Sequence, residues 1–190
     1  MSTSQKVSQP LFWFDGEYTG LGDDDRVMEI AAIITDSELN EVDSLGPIVI
    51  HQPDSLLDNM DEWCTNTHGK SGLTQRVRES TITEEHAHEM LFDFLKKHCD
   101  RRVAVLAGNT VHADRVFIKK FFPKVDEYLH YRIVDVSTIK ELSFRRFPTL
   151  PRFAKRLTHR ALDDIVESIA ELKYYYQHIF KDPASVKVSA

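Results

Sequence analysis

The chain has 190 residues, 42% of them apolar and 28% charged, and its 30 acidic and 24 basic side chains leave a net charge of −6. This length suits one well-buried domain, and no apolar run approaches the ~18 residues that a membrane span needs. Proteins that grip long nucleic acid usually carry a basic footprint, so a nucleic-acid partner is expected to be a short strand with few phosphate contacts.

The first ten residues contain neither the apolar core of a secretion signal nor the arginines of an import sequence. We therefore expect a cytosolic protein, with trimming of a longer natural precursor as the alternative. Residues 1–10 are predicted to form a disordered tail. Cys64 and Cys99 are too few for a disulfide framework or a cysteine zinc site, so both are expected to be reduced structural thiols.

The first part of the chain is predicted to form strands. A short apolar run at 11–15 ends in a turn signal and predicts a buried strand. Further strands are predicted at 27–35 and 46–51, and the turn-rich gaps between them favour antiparallel hairpins. Short helical pieces are expected within 53–67.

The rest of the chain is predicted to alternate between helices and strands. A pattern typical of a capping box, Thr81 to Glu84, predicts a helix that ends near residue 99. Strands are predicted at 103–107 and 131–136, and helices at 111–122, 137–146 and 161–180. This alternation favours parallel crossovers joined to the opening meander. One mixed α/β domain is therefore expected over residues 11–180, followed by a C-terminal tail at 181–190.

The first acidic pair follows the first predicted strand. Residues two apart in a strand point to the same side, so Asp15 and Glu17 should project together from its end. Two carboxylates ~4 Å apart repel by about 4 kcal/mol at an effective dielectric near 20, which requires a proton or a cation. The alternative is a plain Asp-Gly-Glu turn that closes the strand.

Another acid lies on the inward face of a predicted helix. Asp114 shares the i, i+3, i+4, i+7 face with Phe117, Ile118 and Phe121. An acid on an inward stripe is costly unless it is paired or bound to metal, which favours a ligand role. A role for Asp114 as the helix cap is the alternative.

The last predicted helix offers two neighbouring aspartates. Its buried face is expected to comprise Ala161, Ile165, Ile169, Leu172, Tyr176 and Ile179. On this helical wheel Asp163 points to solvent and Asp164 lies beside the buried face. Stabilisation of the helix dipole is the alternative role of both. His159 lies five residues before Asp164, where its imidazole could reach a water beside that carboxylate.

A basic stretch precedes this helix. Residues 142–162 contain no Asp or Glu but six basic side chains, Arg145, Arg146, Arg152, Lys155, Arg156 and Arg160. Either these side chains form a solvated surface, or they form a phosphate-facing lip beside His159.

These motifs together carry a family resemblance. Residues 12–21 (FWFDGEYTGL), 108–114 (GNTVHAD) and 159–164 (HRALDD) resemble the three motifs of the DEDDh exonucleases. More narrowly, residues 68–73 (HGKSGL), 79–81 (EST), 130–138 (HYRIVDVST) and 161–165 (ALDDI) are similar to those of the oligoribonucleases. The likeness covers about residues 11–180. It implies a ribonuclease H-like fold, in which helices flank a mixed central sheet made of an antiparallel meander plus parallel strands.

The resemblance implies 3′-to-5′ removal of mononucleotides from RNA of a few nucleotides, including dinucleotides. Asp15, Glu17, Asp114 and Asp164 would hold two divalent ions, Mg²⁺ or Mn²⁺, and His159 would be the general base. Two such metals can activate a water and stabilise the leaving oxygen. An unperturbed imidazole pKa of ~6.5 suits a base that works near neutral pH.

The resemblance also implies a homodimer whose subunits share the substrate site. Leu21 and Trp63 would wedge and stack the bases. The groups closing around the terminal phosphate would be His68, Thr110, Ser137 and Lys140, with Tyr131 and Arg132 from the partner subunit. Core or interface packing is the alternative role of the two aromatic residues, Trp63 and Tyr131.

The chain departs from the family pattern in places. Gly16 stands where a bulkier apolar residue is usual, which frees the backbone between two predicted ligands. Thr110 stands where serine is usual, and residues 147–158, with two prolines, form a segment that is compact compared with that of its relatives.

The alternative functions are a broader DNA and RNA exonuclease of the proofreading type and a non-catalytic RNA-binding relative. None of the five predicted catalytic residues is missing, which favours an enzyme. A mitochondrial form is compatible with the resemblance.

Overall fold

The structure of the protein, a computed structural model, describes residues 6–155 and 160–186. Within these two stretches, five strands form one sheet: β1 (Leu11–Tyr18), β2 (Val27–Thr35), β3 (Glu41–Val49), β4 (Val105–Gly108) and β5 (Ile133–Asp135). Their spatial order is β3-β2-β1-β4-β5. Antiparallel pairs join β1 to β2 and β2 to β3, whereas β4 runs parallel to both β1 and β5. The predicted antiparallel meander joined to parallel strands is confirmed.

Helices flank this sheet. They are α1 (Asp54–Leu57), α2 (Glu62–Lys70), α3 (Leu73–Glu79), α4 (Glu84–His98), α5 (His112–Phe121), α6 (Pro123–Tyr128), α7 (Val136–Arg146) and α8 (Ala161–His178), with a short 3₁₀ helix at Pro183–Ser185. None of the helices in the described ranges combines the length and the apolar character needed to cross a bilayer. Cys64 and Cys99 are free and buried, as expected.

Several elements differ from the sequence prediction. Strand β3 begins at residue 41 rather than 46, because it is an edge strand whose first residues are polar and largely exposed and therefore show no apolar run. Helix α4 is capped by Thr83, whose hydroxyl accepts a hydrogen bond from the N–H of His86, and not by Thr81. The sequence pattern predicts neither α3 nor α6, which are both too short to show a clear helical period.

Strand β1 separates two layers of the core. Phe12 and Phe14 pack on the side of α4, α5 and α6, and Trp13 packs on the side of α7 and α8. Alternate strand residues face opposite sides, so Asp15 and Glu17 continue the row of Trp13 toward α8. The central strand thus aims two acids at the layer that contains the last helix.

Helix α8 covers this second layer with a long apolar face. Its buried core residues are Ala161, Ile165, Ile169, Leu172 and Tyr175. The prediction that Tyr176 belongs to this face is wrong, because its side chain is 42% exposed. Over four turns the helical period of 3.6 brings Tyr175, fourteen residues after Ala161, closer to the buried direction than the next residue.

Candidate active site

Three acidic side chains meet where strand β1 passes the start of helix α8. One carboxylate oxygen from each of Asp15, Glu17 and Asp164 lies within 4.8 Å of the other two. We call these three residues the acidic cluster. The first two lie two apart on β1, and Asp164 belongs to the first turn of α8. Its neighbour Asp163 is exposed, so Asp164 is the aspartate of this pair that faces the sheet.

The fourth predicted acid, Asp114, lies in the first turn of α5 and lines the same cavity as the acids of β1. The residue is buried, and its Oδ1 accepts a hydrogen bond of 2.8 Å from the phenol of Tyr18. The ring of Tyr18 stacks on Phe117 with centroids 3.8 Å apart. Helix α5 is capped at Val111, so Asp114 is not its N-cap residue. Tyr18 therefore holds the Asp114 carboxylate in a fixed position relative to β1.

Gly16 makes room for this tyrosine. A Cβ at residue 16 would lie 2.5 Å from Oη and 2.6 Å from Cζ of Tyr18, well inside van der Waals contact. The glycine between the two β1 acids thus lets the phenol lie over the strand and reach Asp114. The departure from the family pattern at this position has a physical reason, because Tyr18 occupies the space of the absent side chain.

Burial and repulsion raise the pKa values of these carboxyl groups. The pKa of Asp15 lies well above its usual range, first because the group is buried and then because of the negative charges of the other three acids. Burial, followed by the charge of Asp164, raises the pKa of Glu17 to about 8. Burial raises the pKa of Asp114 to about 7 against the hydrogen bonds that lower it. The site therefore disfavours the ionised carboxylates unless a cation accompanies them.

This set of donors fits a hard divalent cation. Carboxylate oxygens are the ligands that Mg²⁺ and Mn²⁺ prefer. Three of them already lie close enough to face a common point between β1 and α8. A cation at that point would favour the ionised form that burial disfavours, so it would relieve the repulsion between the acids.

A buried glutamate on the neighbouring strand docks α8 against the acidic cluster. Glu29 of β2 pairs in register with Glu17 and is fully buried. Its carboxylate accepts a hydrogen bond of 2.7 Å from Arg76 of α3. On the other side it accepts from Nε of Arg160 at 3.4 Å and from the N–H of Ala161 at 3.3 Å. These contacts fix the first residues of α8, so they also set the position of its inward aspartate.

A cavity of about 420 Å³ opens beside the acidic cluster. Of the residues predicted to bind substrate, four line it: Leu21, Trp63, His68 and Thr110. Trp63 is 59% exposed and Leu21 is 79% exposed, so neither serves the core. Cavities of roughly 300–1,000 Å³ accommodate small ligands, and this one is large enough for a nucleotide unit.

His68 joins the wall of this cavity to the acidic cluster. Its side chain is buried, with Nε2 3.1 Å from the carbonyl oxygen of Tyr18 and Nδ1 3.9 Å from Oε2 of Glu17. The ring of Trp63 meets the imidazole edge-on at a centroid distance of 6.3 Å. One histidine therefore contacts both a cluster acid and the exposed aromatic wall.

Thr110 and Ser137 lie together beside a second cavity of about 360 Å³. The backbone of Thr110 has a φ of +54°, and its N–H lies 3.0 Å from both Oδ1 of Asp135 and Oγ of Ser137. The two hydroxyl oxygens are 3.1 Å apart. Because Thr110 also lines the first cavity, this pair of hydroxyls marks the boundary between the two.

Three further predicted site residues, Lys140, Tyr131 and Arg132, do not line the first cavity. The ammonium of Lys140 is 3.6 Å from the buried carboxylate of Glu171. Tyr131 is 69% exposed, and the guanidinium of Arg132 lies over its ring at 5.3 Å. Neither Tyr131 nor Arg132 lines the two cavities described above. His159 lies outside the described residues.

The basic side chains near α8 divide into two groups. Arg145 pairs with an exposed glutamate of its own helix, and Arg152 lies over the ring of a phenylalanine, which fits a solvated surface. Lys155 instead contacts the buried Glu171, and Arg160 contacts the buried Glu29. These two basic residues directly precede and follow residues 156–159 in the sequence. Arg156 lies outside the described residues.

Four residues of this site are not predicted from the sequence: Tyr18, Glu29, Asn109 and Glu171. For the glutamates a signal exists, because an acid inside an apolar strand or on the buried face of a helix requires a buried partner. Tyr18 carries no such signal, since its contact with Asp114 joins residues 96 positions apart.

The sequence is similar to those of proteins of known function. The exonuclease family model RNase_T matches residues 12–172. A protein of Marinobacter nauticus named oligoribonuclease is 52% identical over 174 residues, which cover 90% of this chain and 96% of that protein. The human protein named mitochondrial oligoribonuclease is 46% identical over 184 residues, which cover 95% of this chain and 78% of that one.

The fold is similar to that of a larger solved protein. Exonuclease I of E. coli, solved in complex with a 5cy-dT13 oligonucleotide, matches with a TM-score of 0.69 at 17% identity. The match covers 92% of this chain and 42% of that one. The chain therefore spans less than half the length of exonuclease I, and the likeness confirms the predicted ribonuclease H-like fold.

Gly16→Ala should destabilise the protein by about 1–3 kcal/mol, because the new Cβ would overlap the phenol of Tyr18. In a Tyr18→Leu background the same change should cost less than half as much. The free energy of unfolding in urea measures both effects. Gly69→Ala is the matched control, since open space surrounds a Cβ at that helical position, and it should be neutral or stabilising. An equal cost of Gly16→Ala in both backgrounds would contradict this account of the glycine.

Asp15→Asn should stabilise the metal-free protein by at least on the order of 1 kcal/mol, because it removes an ionisable group that burial and the other acids disfavour. Such a change corresponds to a rise of about 2–4 °C in melting temperature for a domain of this size. Added Mn²⁺ should stabilise the parent protein and leave the variant unchanged. Asp163→Asn, which alters the exposed neighbour of Asp164, should keep the full Mn²⁺ effect. A variant that melts at a lower temperature without metal would contradict the repulsion within the cluster. A variant that still responds fully to Mn²⁺ would show that the cluster is not a cation site.

Proposed function

This chain belongs to the exonuclease family, and we infer that it is a 3′-to-5′ exoribonuclease that degrades short RNA to mononucleotides. The single observation that carries the inference is the acidic cluster beside a cavity of nucleotide size. The oligoribonuclease relatives, at about half identity over nine-tenths of the chain, indicate the class of substrate.

Divalent metal use follows from the family and the acidic cluster. We propose that two ions, Mg²⁺ or Mn²⁺, are held by Asp15, Glu17, Asp114 and Asp164. When bound, two such ions activate a water and stabilise the leaving oxygen of an in-line displacement. The shared cavity and the hydrogen bond from Tyr18 support the inclusion of Asp114, because they keep this carboxylate directed toward the β1 acids.

We propose His159 as the general base that takes the proton of the attacking water. It directly precedes Arg160, whose guanidinium is bound to Glu29, and Glu29 pairs in register with Glu17. The described chain thus comes beside the acidic cluster one residue after His159. A histidine suits the role because its ordinary pKa of ~6.5 lies near the working pH.

The terminal bases of the substrate are proposed to bind in the first cavity. Leu21 and Trp63 present exposed apolar surface there, and an aromatic face stacks on any base at a gain of about 1–3 kcal/mol. His68 and the hydroxyls of Thr110 and Ser137 would close around the terminal phosphate. Lys140, which rests on a buried carboxylate near this boundary, would add a positive charge.

We propose that the enzyme is a homodimer in which Tyr131 and Arg132 complete the partner's substrate site. Both residues lie apart from the cavities of their own chain, and the stacked pair projects from the surface. An exposed aromatic with an arginine over its ring is the kind of side-chain pair that interfaces favour. A terminal phosphate enclosed by two subunits would exclude longer strands.

The proposed enzyme is cytoplasmic, with a mitochondrial form. Relatives from cattle, mouse and human carry the word mitochondrial in their names. The free thiols of Cys64 and Cys99 fit a reducing compartment. We further propose that residues 11–180 form the single exonuclease domain, with tails at 1–10 and 181–190.

Hydrolysis of labelled RNA from two to about twenty nucleotides, with and without EDTA, tests the function. Mononucleotides should be released from the 3′ end, fastest from the shortest strands, and EDTA should abolish release. Asp114→Ala and His159→Ala should remain folded and lose about 10²-fold or more activity, as expected for a metal ligand and a general base. Asp163→Asn serves as the matched variant that keeps activity.

Each alternative function has its own outcome in this assay. Equal rates on a dinucleotide and on DNA or RNA of about twenty nucleotides would indicate a broader exonuclease. Binding of RNA without any cleavage would indicate a non-catalytic relative. Unchanged dinucleotide cleavage by Asp114→Ala would remove the proposed site.

Mixing two inactive variants tests the shared site. Arg132→Ala removes the residue given to the partner, and Asp114→Ala removes a residue of the chain's own site. Each variant alone should be inactive on dinucleotides, whereas coexpression should restore about a quarter of the parental activity, since half of the dimers are mixed and each mixed dimer has one complete site. No recovery in mixed dimers separated by affinity tags would contradict the sharing of Arg132.

A further inference from the structure

A buried carboxylate outside the acidic cluster gathers four donors. Glu171 of α8 has a side chain only 2% exposed. Its Oε2 accepts a hydrogen bond of 2.9 Å from Nδ2 of Asn109 and lies 3.2 Å from the ammonium of Lys155. Its Oε1 accepts a hydrogen bond of 3.1 Å from the phenol of Tyr175 and lies 3.6 Å from the ammonium of Lys140. Each carboxylate oxygen therefore has one neutral and one cationic neighbour.

This arrangement is costly as a means of stabilisation alone. A buried carboxylate and the two ammonium groups beside it lose hydration free energy. The attraction within the ion pairs offsets this loss only when their geometry is good. An apolar residue at this position of α8 would serve the core at less expense. The presence of the charged Glu171 in the apolar face of α8 therefore indicates a functional role for the side chains that it binds.

Two of the groups that Glu171 binds, Asn109 and Lys155, lie beside the acidic cluster. Asn109 lines the first cavity together with Asp15 and Asp114. Its Oδ1 is buried and has no hydrogen-bond partner among the described residues, while its Nδ2 is engaged by Glu171. Burial and the other acids raise the pKa of Asp15, and Lys155 is the cation that opposes them. Glu171 thus fixes the orientation of an amide and the place of a cation beside the acidic cluster.

We propose that Glu171 is a positioning residue for phosphodiester hydrolysis, which holds the ammonium of Lys155 and the amide of Asn109 beside the acidic cluster. The proposal rests on the proposed function and assigns Lys155 as an additional cation of the same site. The negative charge of Glu171 keeps the ammonium in place, and its Oε2 fixes the orientation of the Asn109 amide through the hydrogen bond from Nδ2.

The opposite side of the cluster has a matching arrangement. Arg160 is held by the buried carboxylate of Glu29, and its charge opposes the burial and the acids that raise the pKa of Glu17. Lys155 and Arg160 are the described residues that flank 156–159. Two cations, each bound to a buried glutamate, therefore offset part of the negative charge of the two β1 acids.

A double-mutant cycle on Glu171→Gln and Lys155→Gln tests the proposal in the full-length enzyme. Glutamine nearly conserves the shape of Glu171 and removes its charge. Each single variant should lower kcat for a dinucleotide by about 10- to 100-fold with KM little changed, as expected when a supporting contact of a metal site is lost. The double variant should be no slower than the slower single variant, because both changes remove one interaction.

A control cycle uses an ion pair of the same type far from the site. Glu89 of α4 and Lys124 of α6 form an exposed pair at 2.5 Å. Glu89→Gln and Lys124→Gln, alone or together, should leave kcat unchanged. This comparison removes any general effect of exchanging a glutamate–lysine pair for two glutamines.

The outcomes separate this inference from the proposed function. A parent enzyme that does not cleave dinucleotides would overturn the proposed function. An active parent whose Glu171→Gln variant melts lower but keeps its kcat, with Lys155→Gln unaffected, would overturn only the positioning role. If Glu171→Gln fails to fold, Lys155→Gln decides alone, since this lysine is partly exposed and its loss should leave the fold intact. Unchanged kcat in that variant would contradict the proposal.

Discussion

The repulsion between carboxylates in a buried site is the constraint on which the rest of this structure depends. Asp15, Glu17 and Asp164 bring three acids within 4.8 Å of one another on the covered face of a sheet. Without a cation, such a cluster opposes the folding that creates it. The surrounding structure meets this cost with rigid attachments, because strand pairing fixes the first two acids and Glu29 fixes the helix that carries the third. The fold thus preserves a site that favours cation binding.

Buried charge appears here in two complementary forms. The cluster acids concentrate negative charge where a cation is to bind, whereas Glu29 and Glu171 are buried acids with basic partners. Those partners place positive charge at the edge of the cluster without compensating it fully, so the site retains affinity for a divalent ion. An apolar substitute for either glutamate would release its cation to solvent, where water would screen its effect on the site.

The outline of the fold and the directions of the acids could be predicted because they follow local periods. A strand period of two places Asp15 and Glu17 on one face, and a helical period of 3.6 separates Asp163 from Asp164. Contacts that join distant parts of the chain have no such period. The bond from Tyr18 to Asp114, the docking of α8 on Glu29 and the start of the edge strand β3 depend on tertiary packing. Of these, only the buried glutamate leaves a trace in the sequence, as an acid inside an apolar strand.

The charge distribution also explains why a short substrate suits this protein. A long strand is held by many phosphate contacts, each of which needs a cation directed outward. The cations beside the acidic cluster, Lys155 and Arg160, are instead bound to buried acids. In the proposed function, affinity would come from the terminal unit, through stacking on Trp63, contact with Leu21 and enclosure of one phosphate. Additional nucleotides would contribute little binding energy on a surface with a net charge of −6.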